Sequence, residues 1–467
     1  MLGNIFNTFA NCFKIPELKS RILFTVLVLA ICRVLAMTPI PGLDGQALKA
    51  FFDDLASKAA QGGDAGNSLL GMYSMFTGGA LEQCAVGSLG IMPYITASII
   101  IQLLTAVIPS LSKLAREEGG RPKLIQYGRY LTVILCLGEG LALALNWERP
   151  DTLFSGFSGK LVMYDSLIWY RIQTTLILTT GTLLLMWFGE QITERGIGNG
   201  TSLVISIGIL ARLPQAFVGL RDLFANSGEG GTVGQFHFFY LIALILLLLG
   251  VVAGVIAVTQ AQRKVPVQYA QRAVGKKIVS GGSTFMPLRV NYAGVMPIIF
   301  AQTILMFPER VLQFIGSRFD LPLFIKLSTL FREGALVYIV IYGFMILFFS
   351  YFWVATQFNE LQIADDLKKH GGYIPGVRPG QATSQFLHNA MSRITFAGAI
   401  FLTLIAVIPI LLNREMNIPF NVATMFGGTS LLILVGVMLD TMRQIESQLM
   451  MRHYDGFLKK GRIRGRF

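Results

Sequence analysis

Apolar residues in this chain gather into long, nearly unbroken stretches separated by polar segments, which is neither the period-two alternation of a half-buried strand nor the one-faced stripe of a soluble helix. Crossing a hydrocarbon core of about 30 Å takes about 20 helical residues. Ten stretches are predicted as spans, centred on Ile22 to Met37, Ala85 to Ile108, Lys123 to Asn146, Ser166 to Phe188, Thr201 to Leu220, Phe236 to Val258, Val290 to Leu312, Ala335 to Thr356, Ile394 to Leu412 and Phe426 to Ile445. No small-residue cleavage site follows the first apolar run, so it is expected to be retained and not removed as a signal. The segment ahead of the second span, Gly66 to Gly79, is too short and too polar to cross. Interrupted pieces of this kind line cavities, because irregular backbone cannot face lipid. Ten spans divide into five and five, and an odd number per half makes the second half run opposite to the first, as in inverted-repeat transport folds. The expected fold is therefore an all-α membrane protein of ten transmembrane helices in two inverted halves, residues 1–220 and 221–467.

Composition agrees with the pattern: of 467 residues, 53% are hydrophobic and 14% charged, with mean hydropathy +0.59, so the bilayer is the expected solvent. A formal charge of +13 would suggest nucleic acid in a soluble chain. Its placement offers a simpler cause. With the N-terminus inside, 26 of the 39 Lys and Arg fall in inner segments and 11 in outer loops, while Arg33 and Arg171 lie within spans. Positive charge is retained on the cytoplasmic side of short loops, so both termini are expected there. Cys12, Cys32, Cys84 and Cys136 show neither a C-x-x-C pair nor metal-ligand spacing, and no disulfide framework or metal is expected.

Candidate chemistry is sparse and local. Leu89 to Leu104 (LGIMPYITASIIIQLL) puts Ile91 and Ile95 one helical turn apart on one face, with Pro93 between them. Trp187 to Ser202 (WFGEQITERGIGNGTS) places Glu190, Glu194, Arg195 and four glycines at a boundary between two spans. Its glycines lack the G-x-G-x-x-G spacing and no strand precedes them, which excludes a dinucleotide site. Two inner loops are longer than a connection requires, as binding surfaces often are. Thr259 to Arg289 contains VPVQYAQRAVGKK, whose alternation suits a hairpin arm with Lys276 and Lys277 near its tip. Phe358 to Arg393 contains ADDLKKHGGYIPGVRPGQAT, whose glycines and prolines predict a rigid, non-helical loop presenting Arg378. The chain holds no G-x-x-x-x-G-K-[ST] and no H-E-x-x-H, and His237, His370, His388 and His453 are scattered, so no engine or catalytic cluster is expected within it.

These segments resemble one family closely. TPIPGLD (Thr38 to Asp44), MFTGGAL (Met75 to Leu81), GIMPYITASIIIQLLT, GEQITERGIGNG, LRVNYAGVMPIIFA (Leu288 to Ala301), IPGVRPG (Ile374 to Gly380) and FGGTSLL (Phe426 to Leu432) match SecY, the large subunit of the bacterial protein translocase, in family order. The resemblance implies a clamshell of two five-helix halves around an hourglass pore, with a plug and a lateral gate made by the second, third, seventh and eighth spans. It places the pore ring on Ile91, Ile95, Thr201, Ile205, Ile299 and Ile433, and departs from the family at Thr201, where an apolar residue is usual. It places the plug near Ser68 to Gly79, on Ser68, Leu69, Leu70, Gly71, Met72, Tyr73, Met75 and Phe76. Docking of cytoplasmic partners falls on Arg263, Lys264, Arg272, Lys276, Lys277, Arg289 and Arg378. The implied partners are small subunits resembling SecE and SecG, the motor ATPase SecA, the ribosome, signal peptides, nascent polypeptides and membrane lipids, with no cofactor, in a bacterial plasma membrane.

A secondary solute transporter is the competing expectation, since it too uses ten spans and inverted repeats. Such proteins place ionisable coupling residues near the midplane, and Arg33, Glu139 and Asp440 are the candidates, read here as structural pairing or snorkelling. Large basic inner loops favour a docked macromolecule over a solute. A membrane enzyme has no catalytic cluster to support it.

Overall fold

The computed structural model of the chain describes residues 15–60, 77–117, 119–150, 159–214, 238–269, 282–292, 294–318, 322–331, 335–416 and 429–460, with a few residues between these stretches. In chain order the helices are α1 (Pro16–Met37), α2 (Gly45–Ala60), α3 (Met92–Val107), α4 (Pro109–Arg116), α5 (Gly120–Glu148), α6 (Leu167–Arg195), α7 (Gly200–Ala211), α8 (Phe238–Gln260), α9 (Met296–Arg318), α10 (Pro322–Leu330), α11 (Leu336–Gln357), α12 (Glu360–Lys369), α13 (Gln381–Met416) and α14 (Thr429–Lys460). The strands are β1 (Gln262–Tyr269), β2 (Arg272–Val274), β3 (Lys277–Val279), β4 (Ser283–Arg289) and β5 (Gly372–Tyr373).

Every predicted span holds a helix: α1, α3, α5, α6, α7, α8, α9, α11, α13 and α14 in turn. Among the described residues, six helical runs are long and apolar enough to cross a membrane, or seven when α3 and α4, bent by 104° to each other, count as one broken span. Two departures from the expected spans have local causes. The second span, expected from Ala85, becomes helical at Met92, because Cys84 (φ 46°) and Gly90 (φ 61°) are left-handed and residues 81–91 fold as short turns. Its helix then stops at Ile108, held extended (φ −92°, ψ 115°) because the ring of Pro109 crowds the α conformation of the residue before it. Thr38, before Pro39, ends α1 in the same way (φ −79°, ψ 111°). The fifth span is the other departure. α7 has 12 residues, and at 1.5 Å per residue it is about 18 Å long, well short of a crossing.

Several hydroxyls in these apolar helices are satisfied within their own turn, as in Thr132 to Gly128, Thr179 to Thr175 and Ser350 to Ile346, each donating to a backbone carbonyl. Without such partners a polar group facing lipid would be costly.

The chain packs as two compact units, Met1–Gln235 with Val437–Phe467, and Phe236–Gly436, so α14 contributes residues to both. The first unit has a buried cluster of Ile40, Leu48, Leu81, Cys84, Trp147 and Tyr170 with their neighbours. Isolated bridges Pro39↔Ala85 and Leu43↔Val162 fasten the connections around it. In the second unit Phe300 on α9 meets Phe349 and Trp353 on α11 edge-on, at ring-centroid distances of 5.6 and 5.3 Å.

The second unit also holds a sheet of order β4-β1-β5. β1 and β4 pair antiparallel from Gln262↔Arg289 to Gln268↔Ser283, and β2 and β3 continue the hairpin from Arg272↔Val279 to Val274↔Lys277. The expected hairpin is therefore present. β5 adds to the other edge of β1 through Gln268↔Tyr373 and Tyr269↔Gly372, which joins the two long loops into one body. Val265 and Val267 alternate with exposed neighbours and pack with Val354, Phe358, Leu387 and Met391 from α11 to α13.

Candidate functional site

The pairs Ile91 and Ile95, and Thr201 and Ile205, each occupy successive turns of a helix start in the first unit. The Ile91 carbonyl accepts the Ile95 N–H at 3.2 Å, which closes the first turn of α3. Pro93 sits within that turn, where its missing N–H has no partner to lose. Both isoleucines are buried, as is Ile205, while Thr201 is half-buried. In the second unit, Ile299 on α9 and Ile433 near the start of α14 are buried too.

The start of α7 is held by side chains from three other helices. Ile197 N–H donates to Thr25 Oγ1 on α1 (3.1 Å), Gly198 N–H to Gln444 Oε1 on α14 (2.8 Å) and Gly200 N–H to Thr193 Oγ1 on α6 (2.9 Å). Asn199 caps the helix by accepting Ser202 N–H at 3.3 Å. A Cβ on Gly200 would collide with the carbonyl oxygen of Gly189 on α6. The glycines of this motif thus serve close helix packing, and the N–H groups of Ile197, Gly198, Gly200 and Ser202, which a phosphate at this helix start would need, are already bonded.

Plug residues Ser68, Leu69, Leu70, Gly71, Met72, Tyr73, Met75 and Phe76 lie outside the described residues. The adjoining turns are described. Gly78 (φ 65°) and Gly79 (φ 87°) are left-handed, and a Cβ on Gly78 would stand 2.9 Å from the Gly208 Cα on α7. Arg33 Nη1 donates to the Gly78 carbonyl at 3.2 Å, and Arg212 pairs with Glu82. Ser88 Oγ, fully buried, donates to the carbonyls of Ala85 (2.6 Å) and Ala80 (3.0 Å). Arg33, a coupling candidate in a transporter, is thus a structural clasp. Asp440 is exposed, with Arg443 Nη1 3.8 Å away, and Glu139 is half-buried in α5.

On the loops, Arg263 and Lys264 on β1 and Arg289 at the end of β4 are exposed. Arg272 lies in β2 and Lys277 in β3, and Lys276 falls outside the described residues. Arg378 is exposed between Gly376 (φ 83°) and Gly380 (φ 103°), and its carbonyl accepts Thr383 Oγ1 at 2.9 Å. Buried Ile374 roots this turn, its carbonyl accepting Val377 N–H at 3.0 Å. The non-helical loop is shorter than expected, confined to residues 370–380. Ala364 to Lys369 belong to α12, which Asn359 caps, with Glu360 in its first turn and Lys368 and Lys369 in its last, as the helix dipole favours.

Sequence reasoning missed the fork between Arg129 on α5 and Glu190 on α6, at 3.0 and 2.8 Å, and the one between Arg171 and Glu148. Opposite charges at matching boundaries of consecutive antiparallel spans were the available signal. Thr25 and Gln444 gave no signal, since a polar residue in a span reveals its partner only through tertiary packing.

These features define a multi-pass α-helical membrane protein with mostly aliphatic, buried residues at several helix starts and a basic sheet. The SecY family model matches residues 85–442. Relatives named protein translocase subunit SecY span nearly the same length: that of Thermotoga maritima is 40% identical over 99% of this chain and 100% of its own, and that of Streptomyces scabiei 42% over 97% and 99%. That of Chlamydia muridarum is 39% identical over 98% and 99%. This chain belongs to the SecY family. The solved structure described as "The structure of a protein conducting channel" shares the fold at a TM-score of 0.58 and 17% identity, over 92% of each chain. Another, "Sec61 in the Canine ribosome-channel complex from the endoplasmic reticulum", does so at 0.53 and 16%, again over 92% of each.

Proposed function

We infer that this chain is the pore-forming subunit of a protein translocase, which conducts unfolded secretory polypeptides across the membrane and releases transmembrane segments sideways into lipid. The observation that carries the reading is the full-length similarity to translocase subunits at 39–42% identity. A secondary solute transporter is not supported.

The ring assignment of Ile91, Ile95, Thr201, Ile205, Ile299 and Ile433 rests on the sequence resemblance, and the burial of the five isoleucines is consistent with it. Aliphatic side chains around a narrow neck exclude water, and so bar ions, while their rotamer freedom admits a polypeptide. The plug occupies residues 68–79, with its C-terminal end fastened through Gly78. The exposed cations of the sheet and Arg378 form a rigid basic surface suited to a ribosome or a SecA-type motor, which supplies the energy. SecE-like and SecG-like subunits complete the complex in a bacterial plasma membrane, with both termini cytoplasmic by the distribution of Lys and Arg. Reconstitution tests the reading: vesicles holding this chain with the two small subunits and the motor should protect a secretory precursor from added protease only when ATP is present. Protection without this chain, or none with it, overturns the assignment.

A further inference from the structure

We propose that Thr25 and Gln444 are positioning residues for the constriction, fixing the helix start that presents Thr201 and Ile205; the proposal rests on the channel reading given above. Both side chains reach across the fold to one short turn, over 172 and 246 residues of sequence, and bond adjacent backbone N–H groups, those of Ile197 and Gly198. The turn is buried from Gly196 to Gly198; the Ile197 bond is buried and the Gly198 bond part-buried, so an N–H that loses its acceptor here is poorly served by water. Thr25 Oγ1 also donates to its own helix, at the Arg21 carbonyl (2.9 Å), which orients its lone pairs toward Ile197.

Packing reinforces the bonds. The Ile197 side chain joins Leu18 from α1 and Ile445 from α14 in a separate buried cluster. Gly198 is left-handed (φ 89°), and a Cβ there would press to 3.0 Å against both Thr441 Oγ1 and Leu203 Cδ1. The turn is therefore clamped on three sides, three and four residues before Thr201. α7 is short and continuous, so a shift at its first turn moves Thr201 and Ile205 with it. This gives α1, and the part of α14 that lies beyond Ile433, a part in the seal although neither Thr25 nor Gln444 belongs to the ring.

The test uses the full chain assembled with its small subunits in lipid. Thr25→Val and Gln444→Leu each remove one acceptor at nearly constant volume, while Thr25→Ser and Gln444→Glu keep an acceptor oxygen. Hydrogen exchange at Ile197 and Gly198 should quicken about tenfold in the first pair, as expected for one lost hydrogen bond, and return toward wild type in the second. In parallel, a cysteine placed by Ile205→Cys should be alkylated by a small hydrophilic reagent several-fold faster in the acceptor-less backgrounds, read by mass spectrometry at that site. Unchanged alkylation in both Thr25→Val and Gln444→Leu, despite faster exchange, overturns the positioning role. Closed-state ion conductance of the same complexes separates the two ideas. If alkylation rises and conductance does not, positioning stands and the ring assignment fails.

Discussion

Arg33 lies in a helix that is otherwise apolar from Val26 to Met37, and its guanidinium donates to the carbonyl of Gly78, a left-handed residue packed on Gly208. Leaving a buried carbonyl without its donor costs about 1–3 kcal/mol. Arg33→Met should therefore lower the thermal midpoint of the purified complex by several degrees, with Arg33→Lys recovering part of the loss, as differential scanning fluorimetry would read. Thr201 and Ile95 make a second, functional pair of expectations. If an aliphatic neck seals by excluding water, Ile95→Asn should raise closed-state conductance in planar bilayers without blocking transport, and Thr201→Ile should lower it. Equal conductance in all three channels would mean that the plug alone makes the seal.

Two loops that are 90 or more residues apart at Gly282 and Gly372 act as one element, because β5 pairs with β1 and a shared core of Val265, Val267, Leu288 and Leu387 lies beneath them. Leu387 is fully buried, so Leu387→Ala should cost about 2–5 kcal/mol and loosen the whole sheet, seen as faster proteolysis at both loops together. Arg378 differs in kind. Its backbone carbonyl is engaged by Thr383 while its side chain is exposed, so reversal of its charge should leave stability within about 0.5 kcal/mol. Arg378→Glu should nonetheless abolish motor-driven export into vesicles, since attraction toward an acidic partner surface becomes repulsion. Normal export would make Arg378 solvated surface and nothing more.

At the scale of the molecule, the asymmetry of 26 inner to 11 outer cations predicts that α12 faces the cytoplasm. Asp365 on that helix is exposed, and a cysteine from Asp365→Cys should react with an impermeant thiol reagent in inverted vesicles and stay unlabelled in intact cells. Six or seven of the ten expected spans were legible because apolar length is a strong signal, and the hairpin because Val265 and Val267 alternate with polar neighbours. The broken start of the second span was not, since residues 85–91 are as apolar as a helix and their turns are set by Gly90, Cys84 and contacts with α1. Nor could periodicity tell Ile91 and Ile95 from any lipid-facing isoleucine, and only family resemblance singled them out. The hairpin base carries one more consequence. β1 leaves α8 after the single residue Ala261, whose carbonyl accepts Val290 N–H at 2.9 Å, and α9 with Ile299 begins a few residues beyond. At about 3.3 Å per residue the ladder from Gln262 to Gln268 spans roughly 20 Å, and because β5 pins its far end and Val265 and Val267 seat it on residues from α11 to α13, it is a strut braced at both ends, so that a force on either loop is shared among the helices at its feet instead of bending one strand pair.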